Sequence, residues 1–320
     1  MANTSILTSH GLSQTQWEAG LYKKYQEQTF FGKFKGTDEN SPIQVKRELE
    51  KSAGDTIRFG LAGTLSGSGV TGNNPLTYTA LEGVGSGNEE SMTFYDQGVA
   101  IGQIRNGVRI AGKLDEQRVA FNLRNQAKGQ LTDWMARNED AAIFTAINGA
   151  DVVDISASVE ASGQIALDDI VLMKKEAMFP SGSTKKIRPI SMANGEEVFI
   201  LGMNPDDAVG LKQSADWKTV QANAGKRGGD NRLFTGALGE YDNVVIHSHS
   251  GFAAGSPVLM GAQAAFLAYS NEVIYGEEAF DHGNQNSYMI GSIRGVELAV
   301  FNDGVSNAGS HGAIKFDITV

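Results

Sequence analysis

The chain has no cysteine, and only six of its 320 residues are proline. Without thiols there is no disulfide framework, no thiolate metal centre and no covalent weld through sulfur. The start, Met1 to Gln16, is polar and holds no apolar run of signal-peptide or membrane length, so no secretion and no membrane association are expected. The formal net charge is −10. A dedicated nucleic-acid binder clusters Lys and Arg on phosphates, and that excess is missing, although weak contact with DNA stays open. Glycine, by contrast, is abundant at 39 residues, well above the usual share of roughly 7%. With 41% hydrophobic and 20% charged residues, the composition is that of an ordered protein of two domains or one elaborate domain.

The glycine is concentrated. Thirteen of these residues fall between Gly54 and Gly112, in clusters such as Gly67-Ser-Gly69 and Gly83-Val-Gly85-Ser-Gly87. Ordering such a stretch is entropically costly. Strand-like runs are nevertheless embedded in it, at Thr56–Phe59, Leu76–Thr79 and Val99–Ile101. A two-stranded ribbon with a tip near Gly67 to Asn74 is expected, and an isolated ribbon needs a partner surface. The next segment is opposite in character. From Asp115 to Asn148 there is no proline, and Val119, Leu123, Ala127, Leu131 and Met135 form an i, i+4 row, widened by Trp134, Ala142, Ile143, Ala146 and Ile147. The spacing predicts one continuous helix of roughly 50 Å at 1.5 Å per residue. Asp115 and Glu116 suit its positive N-terminal end, and Gly149 is expected to end it in the left-handed conformation.

Residues 1–53 read as an arm or as an ordinary first part of a core. Ser13 to Gln28 predicts an amphipathic helix carrying Trp17, Leu21 and Tyr25; Phe30, Phe31 and Phe34 form an aromatic cluster, and Val45 with Leu49 suggests a short helix. A further helix is expected from Asp168 to Phe179, capped by Asp168 or Asp169 and stopped by Pro180. Val198–Leu201 reads as a buried strand. Asn204-Pro205-Asp206-Asp207 then places a cap, a proline at the first helical position and acids in the first turn. That helix carries Val209, Leu211 and Trp217 and fades near Gly225. Strands follow at Val244–Ile246, Val258–Met260, Val296–Phe301 and Ile314–Val320. Helices and strands mix without regular βαβ alternation, which is an α+β pattern.

Catalytic readings fail on local chemistry. Gly67-Ser-Gly69-Val-Thr-Gly72 fits G-x-G-x-x-G, but Asn73-Asn74-Pro75 and a strand-like run follow where a dinucleotide site needs a helix. The three Gly-Lys pairs continue with Phe34, Leu114 and Arg227, so none is a phosphate loop. There is no G-x-S-x-G and no H-E-x-x-H. His247-Ser-His249, with Glu240 and Asp242 nearby, offers two imidazoles but no clear third ligand; a strand end facing solvent or a neighbouring subunit is the plainer reading. Lys226, Arg227 and Arg232 form a basic loop suited to phosphate or to acids of a neighbouring copy. No enzyme chemistry and no cofactor emerge.

The order of an arm, a glycine-rich ribbon, a long helix, a second domain and a strand return resembles the tailed-bacteriophage major capsid proteins of the podovirus type. The local likeness is carried by Asn204-Pro205-Asp206-Asp207 through Lys212 and Trp217, and by Phe234-Thr-Gly236-Ala-Leu-Gly239-Glu240-Tyr241-Asp242 leading into Val244–Ser248. The resemblance implies an arm (1–53), an extended ribbon loop (54–91), a peripheral domain (92–195) with a spine helix at 115–148, an axial domain (196–262) and returning strands (263–320). It implies hexamers and pentamers of a virion shell around double-stranded DNA, assembled in the host cytoplasm, with scaffolding and portal proteins as partners and decoration proteins left open. Intersubunit contacts would then fall to Trp17, Phe30, Phe31, Arg58, Phe59 and Tyr78, with Lys226, Arg227 and Arg232 on an axial loop. An encapsulin-like compartment shell shares this fold. A tail-tube or baseplate component is usually β-dominated, and the long helix argues against it.

Overall fold

The computed structural model describes residues 29–47, 56–62, 92, 94–118, 122–156, 165–181, 185–192, 195–223, 237–301 and 309–318. Its frame is a long antiparallel hairpin of Ala265–Phe280 and Gln285–Leu298, paired from Ala265↔Leu298 to Phe280↔Gln285 with register shifts between Tyr269 and Ile274. At the hairpin's base, alternation assigns every side chain to a core. Phe266 and Ala268 pack with Phe59 and Phe301 on one face, and Ala265, Leu267 and Tyr269 pack with Phe31 and Phe34 on the other. Its turn takes positive φ at Asp281, His282 and Gly283. Gly102–Ile110 flanks the hairpin antiparallel on the Gln285–Leu298 side. Ile43–Lys46 runs parallel to Ala265–Ala268 on the other side, and Lys35–Gly36 completes a five-stranded sheet. Val45, expected in a short helix, therefore lies in a strand.

The spine helix spans Leu123–Asn148 and presses Ala127, Leu131 and Met135 onto Ile110, Tyr275, Tyr288 and Ile290. The expected continuous helix from Asp115 is corrected here. Lys113–Arg118 is a separate short helix, with Asp115 and Glu116 in its first turn. Asn122 is extended, and its side chain accepts the Asn125 N–H at 3.2 Å. That cap starts the spine, which is about 39 Å long at 1.5 Å per residue. Gly149 ends it at φ −81°, bonded to the Ala146 carbonyl at 3.1 Å, and so is not left-handed as expected.

Thr56–Ala62 and Phe94–Ala100 form an antiparallel ribbon, Thr56 opposite Ala100 and Ala62 opposite Phe94. Its second strand lies beyond the ribbon boundary expected at residue 91. The expected tip and the Leu76–Thr79 strand lie outside the described residues. The ribbon's root is fixed to the hairpin: Ile57, Phe59 and Val99 pack on Phe266, and Gln97 bonds the Leu298 carbonyl at 2.8 Å and the Val300 N–H at 2.7 Å. Gly295 is required where they cross, because a Cβ there would sit 2.0 Å from the Ala100 carbonyl oxygen.

A second sheet is ordered Val152–Asp154, Ala313–Asp317, Val258–Met260, Glu197–Met203, Val244–Ser248 and Gly239–Tyr241, with Ile190–Ser191 paired to Glu197 and Val198. Phe199, Leu201, Val244, Ile246, Ile314 and Phe316 meet Ile170, Met173, Leu211 and Trp217 from the helices on one face. One helix is Leu167–Met178; the Asp169 carboxylate accepts the Ala166 N–H at 2.8 Å, so the acid closes the end from inside the first turn. The Asn204 cap and Pro205 start work as expected. The single helix expected through Trp217 instead breaks at Ser214 into Pro205–Gln213 and Ala215–Asn223. The Ser214 hydroxyl donates to the Leu211 carbonyl at 2.8 Å and accepts the Trp217 N–H at 3.2 Å. The strand expected at Val296–Phe301 belongs to the hairpin and ends at Leu298, leaving Phe301 to pack on Phe266.

Candidate functional site: the root of the N-terminal segment

The sequence Phe30-Phe31-Gly-Lys33-Phe34 folds as a single 3-10 turn. Phe31 and Phe34 point into the subunit core and are fully buried. Phe30 stacks on Phe144 of the spine helix at 5.6 Å and lies 4.6 Å from the ring of His249. His249 in turn stacks on Phe144 at 4.7 Å, and its Nδ1 accepts the Gly251 N–H at 3.0 Å. Burial lowers its pKa. His247 is wholly buried against Phe34, with Nδ1 3.3 Å from the Lys33 amine. The expected solvent-facing pair is thus corrected for His247. Among the described residues no three His, Asp or Glu side chains gather as a metal cluster.

Below this aromatic cluster two adjacent acids of the spine helix receive the segment. Asp140 accepts the N–H groups of Phe30 at 2.6 Å and Phe31 at 3.3 Å, the donors left open at the start of the turn. Glu139 is fully buried. One oxygen is paired with the Lys35 amine, and the other accepts Tyr269 Oη at 2.6 Å and Arg294 Nη1 at 2.9 Å. Arg294 also holds Asn138 through Nη2 at 2.7 Å. Arg47 and Glu272 pair at the edge of the same cluster. Burial pushes the Glu139 carboxyl up to about 7 and the Lys35 amine down to about 8. Asp140 is likewise raised by burial, against the pull of the two N–H groups.

Two of the residues expected at subunit contacts, Phe31 and Phe59, are buried within their own chain. Phe31 and Phe59 are spent inside their own subunit, Phe59 stacked on Phe266 at 4.2 Å, which removes both rings from a neighbour's reach. Arg58 pairs with Asp96 across its own ribbon, and both side chains are exposed. Phe30 is half-buried. Trp17, Tyr78, Lys226, Arg227 and Arg232 lie outside the described residues. Sequence reasoning missed Lys35, Glu139, Asp140, Tyr269 and Arg294. One signal was available: Glu139 falls on the apolar i+4 row itself, four residues after Met135 and four before Ile143.

The architecture is that of tailed-phage capsid proteins. The capsid protein of Ralstonia phage GP4 superposes with a TM-score of 0.74 at 24% identity, covering 98% of this chain and 97% of that one. The capsid protein of cyanophage Pam1 gives 0.69 at 22% identity over 92% and 93%, and that of Helicobacter pylori bacteriophage KHP30 gives 0.71 at 16% over 90% of each. A phage capsid protein family model matches residues 4–155. The major capsid protein of Pseudomonas phage KPP25 is 26% identical, with 88% of both chains covered. In fold the chain is like the capsid proteins of tailed phages, and over most of its length it is similar in sequence to a phage major capsid protein.

Proposed function

We propose that this protein associates with itself into hexamers and pentamers of an icosahedral shell that encloses double-stranded DNA without reading its sequence. The observation that carries the reading is on the ribbon: Phe94 is 70% exposed at the start of a strand whose root is locked to the hairpin, and Met92 just before that strand is 74% exposed. Large apolar side chains held outward on an anchored ribbon ask for cover by a neighbour, and heterologous contacts of that kind close into rings when the rotation permits. In this reading the second sheet and its helices surround the ring axis, with Lys226, Arg227 and Arg232 on an axial loop, while Trp17, Tyr78 and Phe30 contribute to subunit contacts. Scaffolding, portal and decoration proteins are its expected partners, the host cytoplasm its place of assembly, and catalysis no part of its role.

Electron microscopy of the overexpressed protein is the test: closed shells are expected, and tubes or persistent monomers would sink the reading. Phe94→Ser sharpens it. Burying one Phe is worth about 1.5–3 kcal/mol, so the free subunit should keep its stability while the yield of particles falls at least about tenfold. Unchanged assembly would remove Phe94 from the interface.

The shell is proposed to be non-covalent. Gly54 to Glu90 contains no Lys, and its one basic residue, Arg58, is a guanidinium that stays protonated and is no nucleophile. Boiling particles in detergent should release one band near 34.1 kDa; a ladder of covalent oligomers would contradict this.

A further inference from the structure

We infer that Asn106-Gly107, on the outer strand of the hairpin sheet, is a site of self-modification, where asparagine becomes aspartate and isoaspartate through a cyclic imide. The chain holds three Asn-Gly pairs, at Asn106, Asn148 and Asn194. An asparagine side-chain carbonyl can close a five-membered ring with the next backbone nitrogen, and a glycine there has no Cβ to obstruct the approach. Sequence makes the three pairs equivalent. The structure separates the first two, and Asn194 lies outside the described residues.

Asn106 meets each requirement of the reaction. It lies in the middle of Gly102–Ile110, a strand paired on one side only among the described residues, and both Asn106 and Gly107 are exposed to water. Its Oδ1 accepts the Gly107 N–H at 2.9 Å, so the carbonyl to be attacked already rests beside the attacking nitrogen. Hydroxide takes the Gly107 amide proton, the nitrogen adds to Cγ, and the Cγ–Nδ2 bond breaks as ammonia leaves. Water then opens the ring at either carbonyl, giving aspartate or isoaspartate. Arg105, next in the chain, is a cation that favours the amide anion. Asn148 is the contrast. It ends the spine helix, its Nδ2 donates to the Gly251 carbonyl at 3.0 Å, and the Gly149 N–H is spent on the Ala146 carbonyl at 3.1 Å. Both groups must be freed before that pair can cyclise.

The product matters to the fold. Isoaspartate adds one carbon to the backbone, so Val108 and Ile110, which pack against the spine helix, lose their register with Tyr288 and Asn286. The site lies within one chain, so the free subunit tests it apart from the proposed rings. Folded and guanidinium-unfolded protein are held in mildly alkaline buffer, and their peptides are mapped by mass spectrometry for the amide-to-acid change. Folding should slow Asn148 at least about tenfold, through the two hydrogen bonds that hold it, and leave Asn106 unslowed. Asn106→Gln, whose ring would need one more atom, should abolish the product in that peptide. Folded protein in which Asn106 stays intact, or is protected as strongly as Asn148, overturns the proposal. Aspartate at residue 106 without isoaspartate would exclude the cyclic route.

Discussion

Leu131→Asp should leave no soluble subunit. Leu131 is 1% exposed and sits at the middle of the cluster that joins the spine helix to the hairpin, among Ala127, Met135, Tyr275, Tyr288 and Ile290. The substitution removes a buried Leu side chain, worth about 2–5 kcal/mol, and puts an unpaired carboxylate in its place, at several kcal/mol more. A domain of ordinary stability has about 5–15 kcal/mol in total. Thr145→Asp, at an exposed position of the same helix, is the control, with an expected change within about 0.5 kcal/mol. Soluble fraction and circular dichroism compare the two. A soluble, helical Leu131→Asp protein would mean that the apolar stripe does not hold the spine to the hairpin.

That stripe was the most legible part of the sequence, and its limits are instructive. Ala127, Leu131, Met135, Ile143 and Ile147 all face the core as their spacing requires. The same row extended backwards through Leu123 to Val119 gave a helix that was too long. Apolar periodicity does not register a cap, and Asn122 was the residue to weigh. The same oversight at Ser214 merged two helices into one. Strands bounded by strong turn or cap signals, such as Glu197–Met203 before Asn204, were found. The hairpin strand Ala265–Phe280 was not: buried on both faces at its base and half-exposed beyond, it changes pattern along its length. The polar node was illegible for a different reason. Lys35, Glu139, Tyr269 and Arg294 are far apart in the chain, and only the pairing of Ile43–Lys46 with the hairpin brings them together. Glu139 in an apolar row was the single local hint, because a buried acid demands partners that sequence does not name.

Arg294→Met carries the second large effect and depends on pH. Arg294 and Glu139 are both buried, at 2% and 0% exposure. Removing the guanidinium leaves Glu139 with Lys35 and Tyr269 alone and frees the Asn138 carbonyl. Breaking a buried pair from one side costs about 3–5 kcal/mol. Glu139 already titrates at about 7 because burial outweighs the pull of Arg294, and loss of that pull moves it higher. A carboxyl raised in the fold is stabilising below its unfolded value and loses that contribution as pH rises through the folded one. The Met variant should therefore be closest to wild type near pH 5, where Glu139 is protonated, and its deficit should grow by about 1.4 kcal/mol by pH 8, one unit above the folded value. Arg294→Lys, which keeps the charge but not the second bond to Asn138, should fall between. The double variant Arg294→Met with Glu139→Gln removes the stranded charge and should recover most of the loss, a coupling well beyond additivity. Urea unfolding of the free subunits at the two pH values measures all four proteins. Equal deficits at pH 5 and pH 8, or a double variant no more stable than Arg294→Met, would show that Arg294 acts by packing and not by holding the buried carboxylate.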